Sequence, residues 1–343
     1  MITASARVYS SLAPFMQREP YDAIVVGAGA GGLAAACVAA AEGLKTLLLE
    51  KSALVGGTAA ISGGMVWIPA NPKMAAAGIA DSLENARRYL DACMPATRDP
   101  SAREAFIARG TEALEYLEAR TALRLRPVLD YPDYYPHLPG ATLGGRVLEP
   151  VDFDARALGQ DFARLRWPLA EFMLLGGMMV ARADLPQFRN ALRSPRSAAR
   201  VLRLVSAYAW QRLRSPRGTH LVLGNALVAR LLESALGLGV TLRFDARVAR
   251  VAMRAGRAAG AELEDGETID ARSGVVLATG GFSHDSALRA KLLPAEASWH
   301  SPVCAENTGD GIRMGLAAGG ALGTHNGHNA YWAPVSHHRR TSG

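Results

Sequence analysis

Residues 21–51, YDAIVVGAGAGGLAAACVAAAEGLKTLLLEK, constrain this chain more than any other stretch, because they read in order as strand, glycine turn, helix and second strand. Residues 22–26 are the apolar, β-branched run of a buried parallel strand, and Gly27, Gly29 and Gly32 follow at once in GxGxxG spacing. The first glycine permits a sharp turn. The second lets backbone N–H groups approach a pyrophosphate, and the third lets the helix pack closely on the strand. Residues 33–42 are alanine-dense and free of proline, so they predict the helix whose positive end faces the phosphates, with Gly43 closing it. Residues 46–49 are the second strand. Glu50 stands at its end, eighteen residues after Gly32, where a carboxylate accepts both hydroxyls of an adenosine ribose. Together these predict a dinucleotide grip, against the alternative of a glycine-rich turn in some other doubly wound sheet.

A length of 343 residues allows two domains or one large one, and 49% hydrophobic residues supply an ample core. Net charge is +7, with arginine far outnumbering lysine. Nine arginines between Arg182 and Arg217 meet one acid, Asp184. That segment reads as a solvated helical face, with attraction of an acidic partner or peripheral contact with a membrane surface as the alternative. Cys37, Cys93 and Cys304 form no CxxC pair, so neither a disulfide framework nor a metal site is expected and a reducing cytoplasm fits. Cys37, inside the alanine-rich helix, reads as a small core residue. The first twenty residues lack the apolar core of a signal peptide and read as a loosely packed leader. The longest apolar run, residues 172–181, is half the length a bilayer span needs. No nucleic-acid partner is expected.

Past Glu50, Gly56-Gly57-Thr58-Ala59 and Ser62-Gly63-Gly64 offer backbone N–H groups and hydroxyls on a surface bare of side chains, suited to a flat ring or phosphate. Two tight turns are the plainer reading. Residues 81–94 and 101–120 have helical spacing, with Asp81 and Ser101 as candidate N-caps and Glu84 and Glu104 three residues on. Residues 131–137, YPDYYPH, form a shaped loop because each proline disfavours helix before it, and the irregular stretch continues through Gly144-Gly145-Arg146 and Glu149-Pro150. Helix is expected again over 161–182, 197–214 and 221–237, then a β-meander from 241 to 271. A buried strand over 274–277 follows, ending in Ala278-Thr279-Gly280-Gly281, a second glycine turn at a strand end.

With Glu50, the glycine loops and the Thr279-Gly280 turn in hand, the chain resembles the flavin-binding fumarate reductase and ketosteroid dehydrogenase superfamily. The segments GGTAAISGGMVWIPAN, YPDYYPHLPGATLGGRVLEP and ENTGDGIRMGLAAGGALG resemble the 3-ketosteroid Δ1-dehydrogenase group within it. The resemblance implies an α/β fold: a Rossmann-like FAD-binding domain over 21–282 with a helical insertion about 95–215, then the start of an α+β catalytic domain over 283–343. It implies FAD, with its pyrophosphate over Gly27, Gly29 and Gly32 and its ribose on Glu50. Flavin and ribityl contacts come from Thr58, Ala59, Gly63 and Gly64, adenine contacts from backbone near Val248, and further cofactor contacts from Gly57, Thr279, Gly280 and Asp310.

The resemblance also makes Tyr134 an active-site tyrosine and Tyr331 the candidate base. A phenolate removes a proton acidified by the neighbouring ketone while hydride passes to the flavin, and an external acceptor reoxidises it. A free phenol near pKa 10 needs a lowered pKa for that task. Aromatic packing is the plainer reading of Tyr131, Tyr134 and Tyr135. The expected substrate is a small apolar, steroid-like ketone. Members of the superfamily continue well past 343 residues, so the chain reads as a fragment, inactive as it stands and weak in FAD binding. A fumarate-type alkene reductase, a non-catalytic FAD-fold protein and a pyridine-nucleotide dehydrogenase are the competing readings.

Overall fold

The computed structural model describes residues 19–94, 100–294, 300–323 and 329–330. Tyr331 and nearly all of the expected leader lie outside the described residues. A six-stranded sheet carries the fold. Its strands are β1 (Tyr21–Val26), β2 (Thr46–Leu49), β3 (Thr241–Arg243), β4 (Val248–Arg254), β5 (Arg257–Leu263) and β6 (Thr268–Leu277), in the order β3-β2-β1-β6-β5-β4. The β3-β2-β1 pairs are parallel, and β1 runs parallel to the second half of β6, Ile24 facing Val275 and Val26 facing Leu277. The first half of β6 pairs antiparallel with β5, which pairs antiparallel with β4. One strand therefore joins the meander to the parallel sheet, where two short strands were expected. The tail of β6 is also less buried than expected, since Val276 is 42% exposed.

Alternation along β1 and β2 divides two cores. Val25 and Leu48 face one side with Leu33, Ala36, Leu231 and Leu232, contributed by helices α1 (Ala30–Ala41) and α2 (Leu223–Gly237). Ile24, Leu47 and Leu49 face the other with Val248, Ala261 and Met314, the last from helix α3 (Asp310–Ala317). Each fully buried aliphatic side chain contributes about 1.5–3 kcal/mol, and Leu48→Ala would cost about 2–5 kcal/mol with its cavity. Cys37 lies in the first core, its thiol pushed up to about 12 by burial, so it serves packing.

Between β2 and α2 the chain is mixed in structure. Val147–Pro150 is the middle of a three-stranded antiparallel sheet between Val66–Trp67 and Leu125–Pro127, so Glu149 and Pro150 are strand residues and not part of the irregular loop. The expected helix over 161–182 does not form. Pro168 denies it a donor and Gly176-Gly177 turns the chain, so a hairpin of Met173–Leu174 and Met178–Met179 takes its place. Helices do form over Leu83–Cys93, Ser101–Arg120 and Pro195–Arg212. Their caps differ from the expected ones. Ser82 Oγ, and not Asp81, accepts the Asn85 N–H, because Asp81 is taken by Arg146; the 101–120 helix is preceded by Pro100 with no side-chain cap.

Candidate cofactor site

The turn after β1 builds the floor of the site. Gly27 has φ +104°, and a Cβ on Gly32 would stand 1.8 Å from the Gly27 carbonyl oxygen, so this glycine exists for helix-on-strand contact. Gly29 is the residue before α1, which has no side-chain cap and no acidic residue in its first turn. A Cβ on Gly29 or Gly31 would meet nothing within 4 Å. The first amides of α1 therefore point their uncompensated dipole into open space, as an anion requires. Glu50 closes the floor. It is 9% exposed, and its Oε2 accepts the Ala28 N–H at 2.8 Å while Oε1 accepts the Ser52 N–H at 2.9 Å. Each oxygen keeps a lone pair for an incoming hydroxyl.

The far wall comes from two turns locked together. The Thr279 hydroxyl accepts the Gly311 N–H at 3.0 Å, Gly309 donates to the Gly281 carbonyl at 3.0 Å, and Gly280, at φ +76°, lies against Asn307. Asn307 Nδ2 and the Cys304 N–H both donate to Thr58 Oγ1, at 3.1 and 3.2 Å. Gly57–Ala60 is a single helical turn entered through Gly56 at φ +117°. A cavity of about 410 Å³ runs between these walls and is lined by Gly27, Gly29, Glu50, Gly57, Thr58, Ala59, Val248, Thr279, Gly280 and Asp310. Its volume is within the ordinary range for small-molecule sites.

Charge is arranged along the cavity rather than scattered. Lys51 Nζ lies 2.7 Å from Asp310 Oδ2, and Arg313 and Arg247 reach the same carboxylate at 2.7 and 3.4 Å. Burial raises the Asp310 pKa, but the Lys51 hydrogen bond and the charges of Lys51 and Arg247 outweigh it and hold the group below its usual value. Asp310 also occupies the first turn of α3, so that positive helix end is already compensated by the chain's own carboxylate. Opposite, Arg166 donates to Glu306 at 2.8 Å and the Cys304 thiol donates to Glu306 at 2.7 Å. Burial opposes ionisation of Glu306, yet these two bonds and the Arg166 charge bring its pKa down to about 2, while burial and the same Glu306 bond push Cys304 up to about 11. Cys304 is thus a proton-bearing donor at neutral pH.

Gly32, Gly63, Gly64 and Tyr134 do not line the cavity. A Cβ on Gly64 would stand 2.6 Å from the Gly224 nitrogen, so Gly64 packs on the start of α2, whereas a Cβ on Gly63 would meet only the Met65 side chain at 3.8 Å. Tyr134 is 71% exposed, on a loop held from behind by buried Asp133, which accepts from Trp67 Nε1 at 2.7 Å and pairs with Arg146 at 2.9 Å. The structure adds Lys51, Arg166, Arg247, Cys304, Glu306 and Asn307 to the lining. Lys51 directly follows Glu50 and Asn307 lies within the ENTGDG segment, so both were within reach of the sequence. Glu306 opens the same segment, but Arg166, its partner across 140 positions, carried no local signal.

A crossover unit whose glycine turn, ribose-directed acid and second strand-end turn share one cavity defines a dinucleotide-binding protein of the Rossmann type. The chain belongs to the FAD binding domain family, whose model matches residues 22–343, and FAD is the cofactor that family implies. The open amides at α1 and the free lone pairs of Glu50 fit its pyrophosphate and ribose. The chain is 34% identical to a 3-oxosteroid 1-dehydrogenase of Mycobacterium tuberculosis, over 94% of this chain and 57% of that one. It is 33% identical to a 4-oxocyclohex-2-ene-1-carboxylate 5-dehydrogenase of Sinomonas cyclohexanicum, over 92% and 54% of the two chains. Among solved structures, 3-ketosteroid Δ1-dehydrogenase from Sterolibacterium denitrificans in complex with 1,4-androstadiene-3,17-dione superposes with a TM-score of 0.79 at 35% identity, covering 87% of this chain and 54% of that one. The chain spans about half the length of the curated relatives it matches.

Proposed function

We propose that this chain is the FAD-holding part of an oxidoreductase that dehydrogenates adjacent carbons of a bulky cyclic ketone, of which a 3-ketosteroid is the leading candidate. The observation that carries the reading is the single cavity joining the α1 amides and Glu50 to Thr58, Thr279 and Asn307. Similarity at about 34% to enzymes named for oxo-steroid and oxo-cyclohexene substrates supports the substrate class. FAD, when bound, supplies the two-electron acceptor. The chain's own residues bind and orient it: the α1 amides take the pyrophosphate, Glu50 the ribose, Val248 the adenine end, and Thr58, Ala59 and Gly280 the ring end. Gly63 is assigned a contact with the ring end, and Gly64 an indirect part through the seating of α2 beside Ala59. Tyr134 and Tyr331 are assigned proton handling, Tyr134 from a loop that Asp133 and Arg146 fix in place. An external electron acceptor would be the second partner of such an enzyme. A cytoplasmic setting is supported by three free cysteines, and among the described residues no helix is long and apolar enough to cross a membrane.

Reconstitution of the purified protein with FAD tests the first half. A yellow protein with a flavin spectrum is expected, and a colourless one overturns the reading. Anaerobic addition of androst-4-ene-3,17-dione to a flavin-loaded protein that also carries the remaining length of the relatives then tests the second half. Bleaching of the flavin is expected, whereas reoxidation of pre-reduced flavin by fumarate without bleaching by the steroid reassigns the protein to alkene reduction.

A further inference from the structure

Of the nine arginines between Arg182 and Arg217, only Arg217 is buried, with 2% of its surface exposed. Burial lowers its pKa only to about 10, so the guanidinium carries its charge at neutral pH, and no carboxylate pairs with it among the described residues. Its Nη2 donates to the Leu165 carbonyl at 2.9 Å. Its Nη1 donates to Asn225 Oδ1 at 3.2 Å and to the Arg166 carbonyl at 3.5 Å, and the group lies over the Phe162 and Trp167 rings at 4.4 and 5.2 Å. These neighbours satisfy N–H donors, but none carries the opposite charge. A cation taken out of water without a counterion is costly, and tying two carbonyls together does not require one.

Arg217 does not line the cavity but stands directly behind its Thr58 end. Asn225, fully buried in the first turn of α2, accepts from Arg217 and donates through Nδ2 to the Ala60 carbonyl at 2.7 Å. Ala60 closes the helical turn whose Gly57, Thr58 and Ala59 form the wall. On its other side Arg217 holds the backbone of Arg166, whose own side chain lines the cavity and pairs with Glu306 at 2.8 Å. Among Arg166, Arg217 and Glu306 one positive charge is therefore left over.

We propose that Arg217 is a fixed countercharge for the reduced form of the cofactor, and so helps set the potential of the flavin. The proposal rests on the FAD reading above. A hydride from the substrate brings two electrons and one proton to the ring system, so reduction leaves it with one more negative charge. A buried cation behind the wall favours that state across a low-dielectric interior. The pyrophosphate fits the charge less well, because the α1 amides already meet it and its charge is the same in both redox states. Arg217 touches neither substrate nor ring in this account; it tunes the site and is not a catalytic residue.

Midpoint potentials of the FAD-reconstituted chain, read against a reference dye during slow enzymatic reduction, test it. One charge at this remove is expected to change the preference for the reduced form about tenfold, which is about 30 mV for a two-electron couple. Arg217→Gln should lower the potential by that amount and Arg217→Lys should keep most of it, although both lose bonds to the carbonyls and should lower Tm. If Arg217→Gln does not fold, Trp167→Glu, at a position 40% exposed, sets a carboxylate beside Arg217 and should lower the potential similarly, with Trp167→Gln as the uncharged control. ADP, which has the pyrophosphate and no flavin ring, should bind parent and variants equally. Potentials that stay equal, or that follow Tm rather than charge, overturn the proposal, and loss of ADP affinity in Arg217→Gln or Trp167→Glu overturns it by assigning the charge to the pyrophosphate. A parent chain that takes up no FAD refutes the cofactor reading itself, and this inference with it.

Discussion

Replacing Arg146 by methionine takes the cation from between two buried carboxylates while keeping an apolar stem of similar length. Arg146, Asp81 and Asp133 have side chains only 1% exposed. The guanidinium donates to both Asp81 oxygens at 2.7 and 2.8 Å and to Asp133 at 2.9 Å, and lies over Trp67 and Tyr89 at 5.5 and 5.7 Å. Removing one partner of such a group leaves buried charge uncompensated, which costs about 3–5 kcal/mol. Asp133 keeps the Trp67 and Thr142 donors and Asp81 keeps the Ala70 N–H, so the middle of that range, about 4 kcal/mol, is expected. That is a large share of the roughly 5–15 kcal/mol that holds a domain folded.

The pH dependence gives a second readout of the same substitution. In the parent, burial raises the Asp81 pKa, but the Arg146 and Ala70 hydrogen bonds outweigh it and the net folded value is lowered. Its stabilisation is therefore present above the unfolded carboxylate pKa and lost as pH falls through the folded one. Without Arg146 the burial contribution dominates and the folded pKa is pushed up. The penalty is then fully present above that value and disappears on acidification, so the Asp81 contribution reverses sign. Urea unfolding between about pH 2 and 7, followed by circular dichroism, measures both effects. A loss below about 1 kcal/mol with an unchanged pH slope would refute the reasoning. Adding Asp81→Asn and Asp133→Asn to Arg146→Met should recover much of the loss, because it removes the stranded charges.

Glu50→Ala should weaken FAD binding about 10- to 100-fold in a flavin-fluorescence titration, since charge-assisted hydrogen bonds contribute about 1.5–3 kcal/mol, and an unchanged Kd contradicts the ribose assignment. Gly31→Ala and Gly32→Ala form a contrasting pair. The first places its methyl in open space at the cavity floor and should reduce FAD affinity without lowering Tm, whereas the second meets the Gly27 carbonyl at 1.8 Å and should lower Tm or prevent folding. Equal thermal behaviour of the two would count against the packing described for Gly32. Glu306, with a folded pKa of about 2 against an ordinary 4.5, contributes stability that is present above pH 4.5 and lost as pH falls toward 2. Acid titration of Tm should show that loss in the parent and not in Glu306→Gln, and identical profiles would exclude the Arg166 and Cys304 contacts as its source.

What could be read from the sequence was what a few consecutive residues determine. The Gly27 turn, the helix behind it, Glu50 and the Thr279-Gly280 turn each follow from local backbone needs, and all four reach the same cavity. Gly64 shows where that reasoning stops. A glycine pair has the same spacing whether it bares backbone to a ligand or to another helix, and only the arrival of Leu223 and Gly224 decides between them. Asp81 and Ser82 are adjacent and both able to cap; Arg146, 65 positions away, takes the aspartate and leaves the serine for the helix. The 161–182 stretch misled because its apolar residues suit a helix or a hairpin equally, and Gly176-Gly177 carried the deciding information.

The long strand β6 has a consequence for how the chain is made. Its first half pairs with a hairpin neighbour only a few residues upstream, and these contacts close early, whereas its second half joins β1 across about 250 positions of sequence. During synthesis the hydrogen-bonding edge of β1 stays bare until nearly four-fifths of the 343 residues have emerged. Premature termination anywhere before residue 268 would thus release a polypeptide with an open strand edge and an apolar face, a template for intermolecular pairing rather than a smaller folded unit.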